Sequence, residues 1–299
     1  MSDDTFPLDG TVPPADLISA LAKRATRKET PCGDGVMIWH CWEGPVERTP
    51  LIMLHGGWGS WTHWIKTIPA LVSERTLYVA DLPGMGDSAY IPEPHTAEVL
   101  SRIISDGVEV LLPPNQSYHV VCFSFGGVMG ALMAERHGAR CRSITLAGAA
   151  GFGDLHFVVN GIKVPDPSLH DAEIDNIHRE NLKLLMFGDP KNIDPLALYI
   201  HRHNIARGRV RTRRISLSQG LLAVLPRIGS PIGGIWGSRD ATGGGLPDIL
   251  KRRDILRGYQ SGCQFDIIRG AGHWVMYEAA DRFNETLNRH LEVYETEES

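Results

Sequence analysis

Short apolar runs alternate with helical patterns along most of this sequence, and this alternation limits the fold more than any other feature. The chain has 299 residues, of which 42% are hydrophobic, so it can bury a sizeable core. Strands separated by helices are typical of a parallel sheet covered on both faces, so we predict an α/β fold with a mostly parallel sheet flanked by helices. Predicted strands lie at residues 36–42, 50–55, 76–80, 117–121, 142–146, 231–236 and 264–268, and predicted helices at about 15–27, 61–72, 96–112, 128–136, 246–259 and 279–291.

The alternation stops in the second half of the chain. From about residue 152 to residue 227 no strand is predicted, and the segment is mostly helical and rich in His, Arg and Asn. Strands and helices alternate again afterwards. We therefore expect residues 1–151 and 228–299 to form one core domain, with residues 152–227 as a helical insertion.

One predicted strand passes into a helix through the sequence C-F-S-F-G-G at residues 122–127. Such a turn places Ser124 at the carboxyl edge of a parallel sheet, where ligands tend to bind. Gly126 and Gly127 leave room for a tight turn, and amides at the start of the next helix can stabilise negative charge. The stretch resembles the nucleophile elbow G-x-S-x-G of the α/β-hydrolase family, with Cys122 in place of the first glycine. It suits a nucleophilic serine whose attack creates an oxyanion.

A serine hydroxyl needs a base, and the base needs an acid that orients it. Asp240 follows the predicted strand at 231–236, and His273 follows the predicted strand at 264–268 within a glycine-rich stretch. Both residues come after the carboxyl ends of their strands, hence on the edge that also holds Ser124. In the α/β-hydrolase family the acid and the histidine follow the serine in this order, so the resemblance implies a Ser-His-Asp triad of these residues.

The sequence H-G-G-W-G at residues 55–59 follows another predicted strand at the same edge. It resembles the H-G-G loop of the α/β-hydrolase family, and its glycines permit close approach of the backbone to a ligand. We expect the oxyanion to be held by the amide of Phe125 and by the amide of Gly57 or Trp58. The resemblance implies serine-hydrolase chemistry that requires neither a metal nor an organic cofactor.

Three other features are interpreted as structural. His55 can hold loops together by hydrogen bonds. The sequence D-L-P-G-M-G-D-S at residues 81–88 resembles a loop of the same family, and no phosphate site is expected there because no helix begins directly behind it. His201 and His203 do not indicate a metal site, because residues two apart on a helix face different sides.

The resemblance to α/β-hydrolases implies that the insertion is a cap over the active site. This insertion carries a local excess of arginines in a chain of net charge −5. One or two of them could bind a substrate carboxylate, while most are expected to form a solvated basic face. The arginines are Arg202, Arg207, Arg209, Arg211, Arg213 and Arg214.

A narrower resemblance concerns the sequence H-W-x-x-Y-E that begins at His273. It is similar to the histidine region of the meta-cleavage product hydrolases, which split C–C bonds in vinylogous diketo acids and bind the substrate carboxylate with a cap arginine. This resemblance makes Arg202 the candidate arginine. The chain departs from that family at Phe123, where asparagine is usual, and in the oxyanion loop. Phe123 and Trp274 are candidates for an apolar substrate pocket, with ordinary core packing as the alternative.

We expect a serine hydrolase that acts on a small carboxylic ester. A C–C bond hydrolase of a carboxylate-bearing diketone is the first alternative. A cofactor-free acyltransferase or perhydrolase and a ligand-binding protein with little turnover are two others.

The composition of the chain limits which binding partners and which cellular location we expect. The mild net charge gives no reason to expect a nucleic acid or a membrane as a partner, so a small-molecule substrate is expected, and self-association into a homo-oligomer stays open. The first ten residues lack the basic and apolar regions of a signal peptide. The five cysteines have no CxxC spacing and suit a reducing compartment, which favours a cytoplasmic location.

Overall fold

The computed structural model describes residues 10–155 and 157–296, so most of the stretch that bears on a signal peptide lies outside the described residues. Its strands are Thr26–Cys32 (β1), Gly35–Trp42 (β2), Leu51–Leu54 (β3), Leu77–Ala80 (β4), Tyr118–Phe123 (β5), Cys141–Ala147 (β6), Ile232–Gly237 (β7) and Gln264–Ile268 (β8). They form one sheet in the order β1-β2-β4-β3-β5-β6-β7-β8.

Helices connect and cover these strands. The α-helices are Pro14–Lys23 (α1), Ile68–Leu71 (α2), Ala97–Leu111 (α3), Phe125–His137 (α4), Asp171–Leu185 (α5), Pro195–Arg207 (α6), Arg213–Ser216 (α7), Gly220–Val224 (α8), Leu246–Tyr259 (α9), Val275–Glu278 (α10) and Ala280–Thr296 (α11). Short 3₁₀ turns lie at Trp61–Trp64, Gly138–Arg140, Gly153–Leu155, Pro190–Asn192 and Leu225–Arg227. Across the described ranges, the helices are all too short or too polar to span a bilayer.

The sheet is mostly parallel, which confirms the predicted fold class. β1 pairs antiparallel with β2, and β2 pairs antiparallel with β4. All neighbours from β4 to β8 are parallel. The loops that follow β3, β5, β7 and β8 therefore leave from one edge of the sheet and can bring their side chains together there.

The two faces of the sheet are covered by different helices, as the alternating pattern requires. One buried apolar cluster contains side chains of α3, α4 and α9, and the other contains side chains of α1, α10 and α11. Strand residues of the parallel part contribute to both clusters, because successive side chains of a strand point to opposite faces. The strands β3 and β5 are consequently buried along their whole length.

Two predictions of local structure are wrong. The predicted helix at 15–27 ends at Lys23, and β1 begins three residues later with the polar sequence T-R-K-E-T-P-C. Polar residues suit β1 because it is an edge strand and most of its side chains are not buried. The predicted helix at 61–72 consists instead of a 3₁₀ turn and the short α2, which has Pro69 in its first turn, where proline has no amide hydrogen to continue a preceding helix.

Between β6 and β7, the described residues form helices and turns, and this part of the structure contains no strand. The segment packs on the loops at the carboxyl edge of the sheet. A Cβ atom placed on Gly57 would lie 2.6 Å from Oγ1 of Thr212, and one placed on Gly208 would lie 2.6 Å from Cε3 of Trp58. These contacts bring residues 208–212 against the loop that follows β3.

The packing between β5 and α4 explains how cysteine replaces the first glycine of the G-x-S-x-G pattern. Cys122 is completely buried at the end of β5. Its sulfur occupies space next to Gly130 on α4, because a Cβ atom on Gly130 would lie only 2.1 Å from Sγ of Cys122. The absence of a side chain at Gly130 therefore makes room for the thiol.

This packing predicts a compensating pair of substitutions. Gly130→Ala should destabilise the fold by about 1–3 kcal/mol, because the new methyl group overlaps with the sulfur in a closed core. In the double variant Cys122→Ala/Gly130→Ala, the Cβ atom of residue 130 has its nearest neighbour at 3.4 Å, so the stability should recover. Urea unfolding of the wild type, both single variants and the double variant measures the coupling.

Gly258→Ala on α9 is the control, because a Cβ atom there meets nothing within 4 Å. It should be neutral or stabilising by up to about 1 kcal/mol, as expected for alanine in place of glycine in a helix. Equal losses in Gly130→Ala and in the double variant would show that the sulfur is not the obstacle.

Candidate active site

Ser124 occupies a strained turn between β5 and α4. Its backbone has φ 50° and ψ −116°, a conformation that residues other than glycine rarely adopt. Among the described residues, Ser124 and Trp58 are the two non-glycine residues with positive φ. Backbone hydrogen bonds fix the turn, since the amide of Ser124 donates to Ala147 and its carbonyl accepts from Gly127 and Ala150, all at 2.9–3.0 Å.

Small residues surround this turn, as the sequence predicts. A Cβ atom on Gly126 would lie 2.6 Å from the carbonyl oxygen of His55, so α4 begins directly against the loop after β3. A Cβ atom on Gly127 would lie 2.6 Å from the Cβ atom of Ala149. Side chains at either position would push α4 away from the sheet edge and move Ser124 with it.

The side chains of Ser124, His273 and Asp240 form a continuous hydrogen-bonded chain. Oγ of Ser124 lies 2.9 Å from Nε2 of His273, and Nδ1 of His273 lies 2.9 Å from Oδ2 of Asp240. His273 and Asp240 are both buried. The structure thus brings together three residues that are far apart in the sequence and that the order of strand ends predicts to share one edge.

Asp240 is held as a carboxylate by its surroundings. Its Oδ1 accepts hydrogen bonds from the amide and hydroxyl of Thr242 and from the amide of Gly243, at 2.8–3.1 Å. Burial alone would raise the pKa of Asp240, but the neighbouring His273, the Thr242 hydroxyl and the charge of Arg252 outweigh burial, so its pKa is lowered.

An ionised Asp240 fixes the orientation of the imidazole. A carboxylate only accepts hydrogen bonds, so Nδ1 of His273 carries the proton that faces Asp240. Nε2 is then unprotonated and can accept the hydroxyl hydrogen of Ser124. This is the arrangement in which an imidazole can act as a general base toward a serine.

Three backbone amides near Ser124 have no hydrogen-bond acceptor among residues 10–155 and 157–296. They belong to Phe125, at the first position of α4, and to Gly57 and Trp58. Free amides at the start of a helix and in a glycine loop are suited to a negatively charged oxygen. The sequence predicts two oxyanion donors among them, the amide of Phe125 and that of Gly57 or Trp58.

The loops behind the site are held by His55 and Asp81. Nε2 of His55 accepts from the amide of Leu82 at 2.9 Å, so Nδ1 carries the proton and donates to the carbonyl of Gly56 at 2.7 Å. Burial lowers the pKa of His55, which keeps this imidazole neutral. Asp81 accepts from the amides of Trp61 and Asp87. These contacts agree with the structural interpretation of His55 and of the loop at 81–88.

Two of the predicted substrate contacts have other partners in the structure. The guanidinium of Arg202 donates to the carboxylates of Asp171 and Asp175 of α5. Trp274 is buried in the core, where its indole N–H donates to the carbonyl of His63 at 2.9 Å and its ring packs on Tyr277. The structure therefore places Arg202 in ion pairs between α6 and α5, and Trp274 in the core.

The ring of Phe123 packs against the imidazole of His273. Its side chain is almost fully buried, and its ring centroid is 4.8 Å from that of His273. A Cβ atom on Gly56 would lie 2.8 Å from the Phe123 ring, so this ring also touches the loop after β3. Phe123 thus contacts both the imidazole of His273 and the loop after β3.

Thr242 and Arg252 are site residues that sequence reasoning missed. The hydroxyl of Thr242 lies 2.8 Å from Oδ1 of Asp240 and 3.1 Å from Nδ1 of His273. The sequence carries one signal for Arg252, since it falls on the buried face of α9 together with Ile249 and Leu256 at helical spacing. A charged residue in such an apolar stripe indicates a buried interaction.

The contact between Trp58 and Gly208 yields a second testable prediction. Gly208 has φ −75° and ψ 120°, which alanine adopts without strain, so Gly208→Ala introduces only the overlap with the Trp58 ring. Because Trp58 carries a candidate oxyanion amide, a shift of its loop should lower kcat by roughly 10- to 100-fold on an activated ester.

The matched control is Gly229→Ala, where a Cβ atom meets nothing within 4 Å. This variant should retain the wild-type kcat. Steady-state kinetics of both variants with p-nitrophenyl acetate provides the measurement, and an unchanged kcat in Gly208→Ala would show that the Trp58 loop is independent of this contact.

Comparisons with known proteins agree with this architecture. The family model described as the alpha/beta hydrolase family matches residues 51–286. A dihydrolipoyllysine-residue acetyltransferase component of the acetoin cleaving system of Pseudomonas putida is 24% identical over 253 residues, which are 80% of this chain and 62% of that protein. The chain thus spans less than two thirds of the length of this relative.

Two solved structures illustrate the likeness of the fold. An esterase from Rhodococcus sp. ECU1013 superimposes with a TM-score of 0.72 at 17% identity, over 89% of this chain and 98% of that one. A meta-cleavage product hydrolase from Pseudomonas fluorescens IP01 superimposes with a TM-score of 0.70 at 20% identity, over 90% of this chain and 99% of that one. At these identities the likeness concerns the fold alone.

Proposed function

The chain belongs to the alpha/beta hydrolase family, and we propose that it is a serine hydrolase that cleaves small carboxylic esters through an acyl-enzyme on Ser124. The observation that carries this proposal is the hydrogen-bonded chain from Ser124 through His273 to Asp240, with 2.9 Å at each step. A chain of these groups at this spacing activates a serine that would otherwise be a poor nucleophile.

The proposed reaction has two halves. Oγ of Ser124 attacks the ester carbonyl carbon while its proton passes to Nε2 of His273, and the amides of Phe125 and the loop after β3 bind the oxyanion. Collapse of the tetrahedral intermediate expels the alcohol, which takes the proton from His273. A water molecule then attacks the acyl-enzyme, again with His273 as the base, and releases the carboxylic acid and Ser124.

We further propose that residues 152–227 act as a cap over this site. Two contacts support the idea, namely those of Thr212 with Gly57 and of Gly208 with Trp58. Both place the segment against the loop that would hold the oxyanion. A cap in this position would shield the acyl-enzyme from bulk water and limit the size of the acyl group.

The third prediction tests the nucleophile. Wild-type protein should release p-nitrophenol from p-nitrophenyl acetate in an initial burst followed by slower turnover, because acylation and deacylation are separate steps. Ser124→Ala should show no burst and should lose roughly 10⁴- to 10⁶-fold in kcat, as is typical when a triad member is removed. Stopped-flow absorbance gives the burst, and mass spectrometry of the quenched reaction gives the acetylated Ser124 peptide.

Turnover by Ser124→Ala at the wild-type rate would refute the mechanism. Thr145→Ala is the matched control, since it removes a buried hydroxyl from the neighbouring strand β6. This control should keep the burst. A loss of the burst in both variants would indicate damage to the fold rather than loss of the nucleophile.

Hydrolysis of a C–C bond in a carboxylate-bearing diketone is the second candidate. It is favoured by the similarity of the region after His273 to the meta-cleavage product hydrolases, and by the fold that the chain shares with one of them. The ion pairs of Arg202 with Asp171 and Asp175 speak against it, because they occupy the arginine that would bind the carboxylate.

The fourth prediction separates these two candidates. For an ester hydrolase, Arg202→Ala should change KM equally for a neutral ester and for a p-nitrophenyl ester of a dicarboxylic acid, because its guanidinium serves only to connect α5 and α6. A KM that rises by tenfold or more for the carboxylate-bearing ester alone would instead support the C–C hydrolase. Assays with a dienoic ring-cleavage product, followed by loss of its absorbance, complete the comparison.

Transfer of the acyl group to an acceptor other than water is a third use of the same acyl-enzyme. The acetyltransferase component of Pseudomonas putida is the relative that suggests it. Addition of alcohols or hydrogen peroxide to the ester assay distinguishes transfer from hydrolysis, because an acyltransferase or a perhydrolase would form a new ester or a peracid instead of the free acid.

A further inference from the structure

Arg252 is a buried cation that the proposed reaction leaves unused. It lies in the middle of α9, and only 1% of its surface is exposed. No carboxylate oxygen in the described ranges lies within 4.0 Å of its guanidinium. Burial of a charge without an ion-pair partner costs free energy, so other interactions must stabilise this buried arginine.

The guanidinium binds backbone carbonyls from two different segments. Nη1 donates to the carbonyl of Gly243 at 2.6 Å, and Nη2 donates to the carbonyls of Thr242 and Leu155. Thr242 and Gly243 belong to the loop that carries Asp240, and their amides bind its Oδ1. Leu155 belongs to the first turn of the helical segment between β6 and β7. Arg252 therefore joins the loop of the acid to the start of the proposed cap.

The same two segments make a second set of contacts beside Arg252. The amide of Phe157 donates to the carbonyl of Thr242 at 3.0 Å. The ring of Phe157 packs over Gly244, where a Cβ atom would lie only 1.9 Å from Cε2 of Phe157. The guanidinium carbon of Arg252 lies 5.4 Å from the ring centroid of Phe152. Both segments thus contact Arg252 and also contact each other.

We propose that Arg252 is a positioning residue for the reaction, which fixes the loop of Asp240 and through it the imidazole of His273. The proposal rests on the proposed function of the Ser124 site. The hydrogen bond to the carbonyl of Thr242 holds the peptide group whose N–H, that of Gly243, binds Oδ1 of Asp240, and the hydrogen bond to the carbonyl of Gly243 holds the next peptide group of the same loop. Loss of the guanidinium frees these peptide groups to rotate, and the Asp240–His273 contact becomes loose.

The test compares two adjacent arginines of α9. Arg252→Met removes the charge and the donors but keeps much of the volume, whereas Arg253→Met changes a partly exposed side chain that pairs with Asp254. With p-nitrophenyl acetate, kcat per active site should fall roughly 10- to 100-fold in Arg252→Met, because small misplacements of catalytic groups have effects of this size. KM should stay within about threefold, and Arg253→Met should match the wild type in both constants.

Each rate is divided by the concentration of competent sites, taken from the amplitude of the p-nitrophenol burst. This correction separates a slower site from a smaller folded fraction. Arg252→Lys keeps the charge but cannot reach all three carbonyls, so it should recover part of the lost kcat. If Arg252→Met does not fold, Arg252→Lys tests the proposal instead. Its kcat is expected to be at least about fivefold below that of the wild type.

A double-mutant cycle tests whether Arg252 acts through the acid. In an Asp240→Asn background, Arg252→Met should lower kcat by less than about twofold, because the contact that it supports is already lost. Equal effects of Arg252→Met in both backgrounds, or variants that lose thermal stability while kcat per site stays at the wild-type value, would overturn the proposal. Neither result would affect the proposed function, which fails only if Ser124→Ala keeps its activity.

Discussion

The contact between Ser124 and His273 depends on a backbone conformation that a serine does not adopt by itself. A positive φ at a residue with a side chain costs about 1–3 kcal/mol, and such a residue persists only where its surroundings leave no alternative. Here the amide and carbonyl of Ser124 are both bound, the first to β6 and the second to the start of α4 and to Ala150. The sheet and the helix together hold the hydroxyl at the carboxyl edge, within reach of the imidazole.

The same constraint explains the distribution of small residues around the site. Gly126 and Gly127 let α4 approach the loop after β3 and the end of β6, and Gly130 accommodates the sulfur of Cys122 one turn later. Trp58 is the second strained residue, and its ring rests on Gly208 of the segment between β6 and β7. The two strained residues thus flank the place where the oxyanion would form, and each is supported by contacts from another part of the chain.

The sequence predicts the edge of the sheet at which the site lies, because a strand end followed by glycine, aspartate or histidine is a local pattern. Ser124, Asp240 and His273 could be identified in this way before their contacts were known. The role of Arg252 could not, since it depends on a carbonyl 97 residues away at Leu155. Trp274 shows that neighbours in sequence can have different surroundings, because its side chain is buried in the core while that of the adjacent His273 contacts Ser124 at the sheet edge.

Electrostatics selects which imidazole at this edge can serve as the base. Burial lowers the pKa of His55 and lowers that of His63 further, because other imidazoles surround it, so both rings stay neutral and uncharged. Among the described residues, neither ring is hydrogen-bonded to a carboxylate, and the charge of Asp81 only partly offsets the effect of burial on the pKa of His55. His273 is hydrogen-bonded to the carboxylate of Asp240, whose ionised form is favoured by Thr242 and by the nearby cation Arg252. His273 thus combines two contacts that the other two rings lack, since its Nδ1 faces the carboxylate of Asp240 and its Nε2 faces Oγ of Ser124, which is the geometry that the proposed general-base catalysis requires.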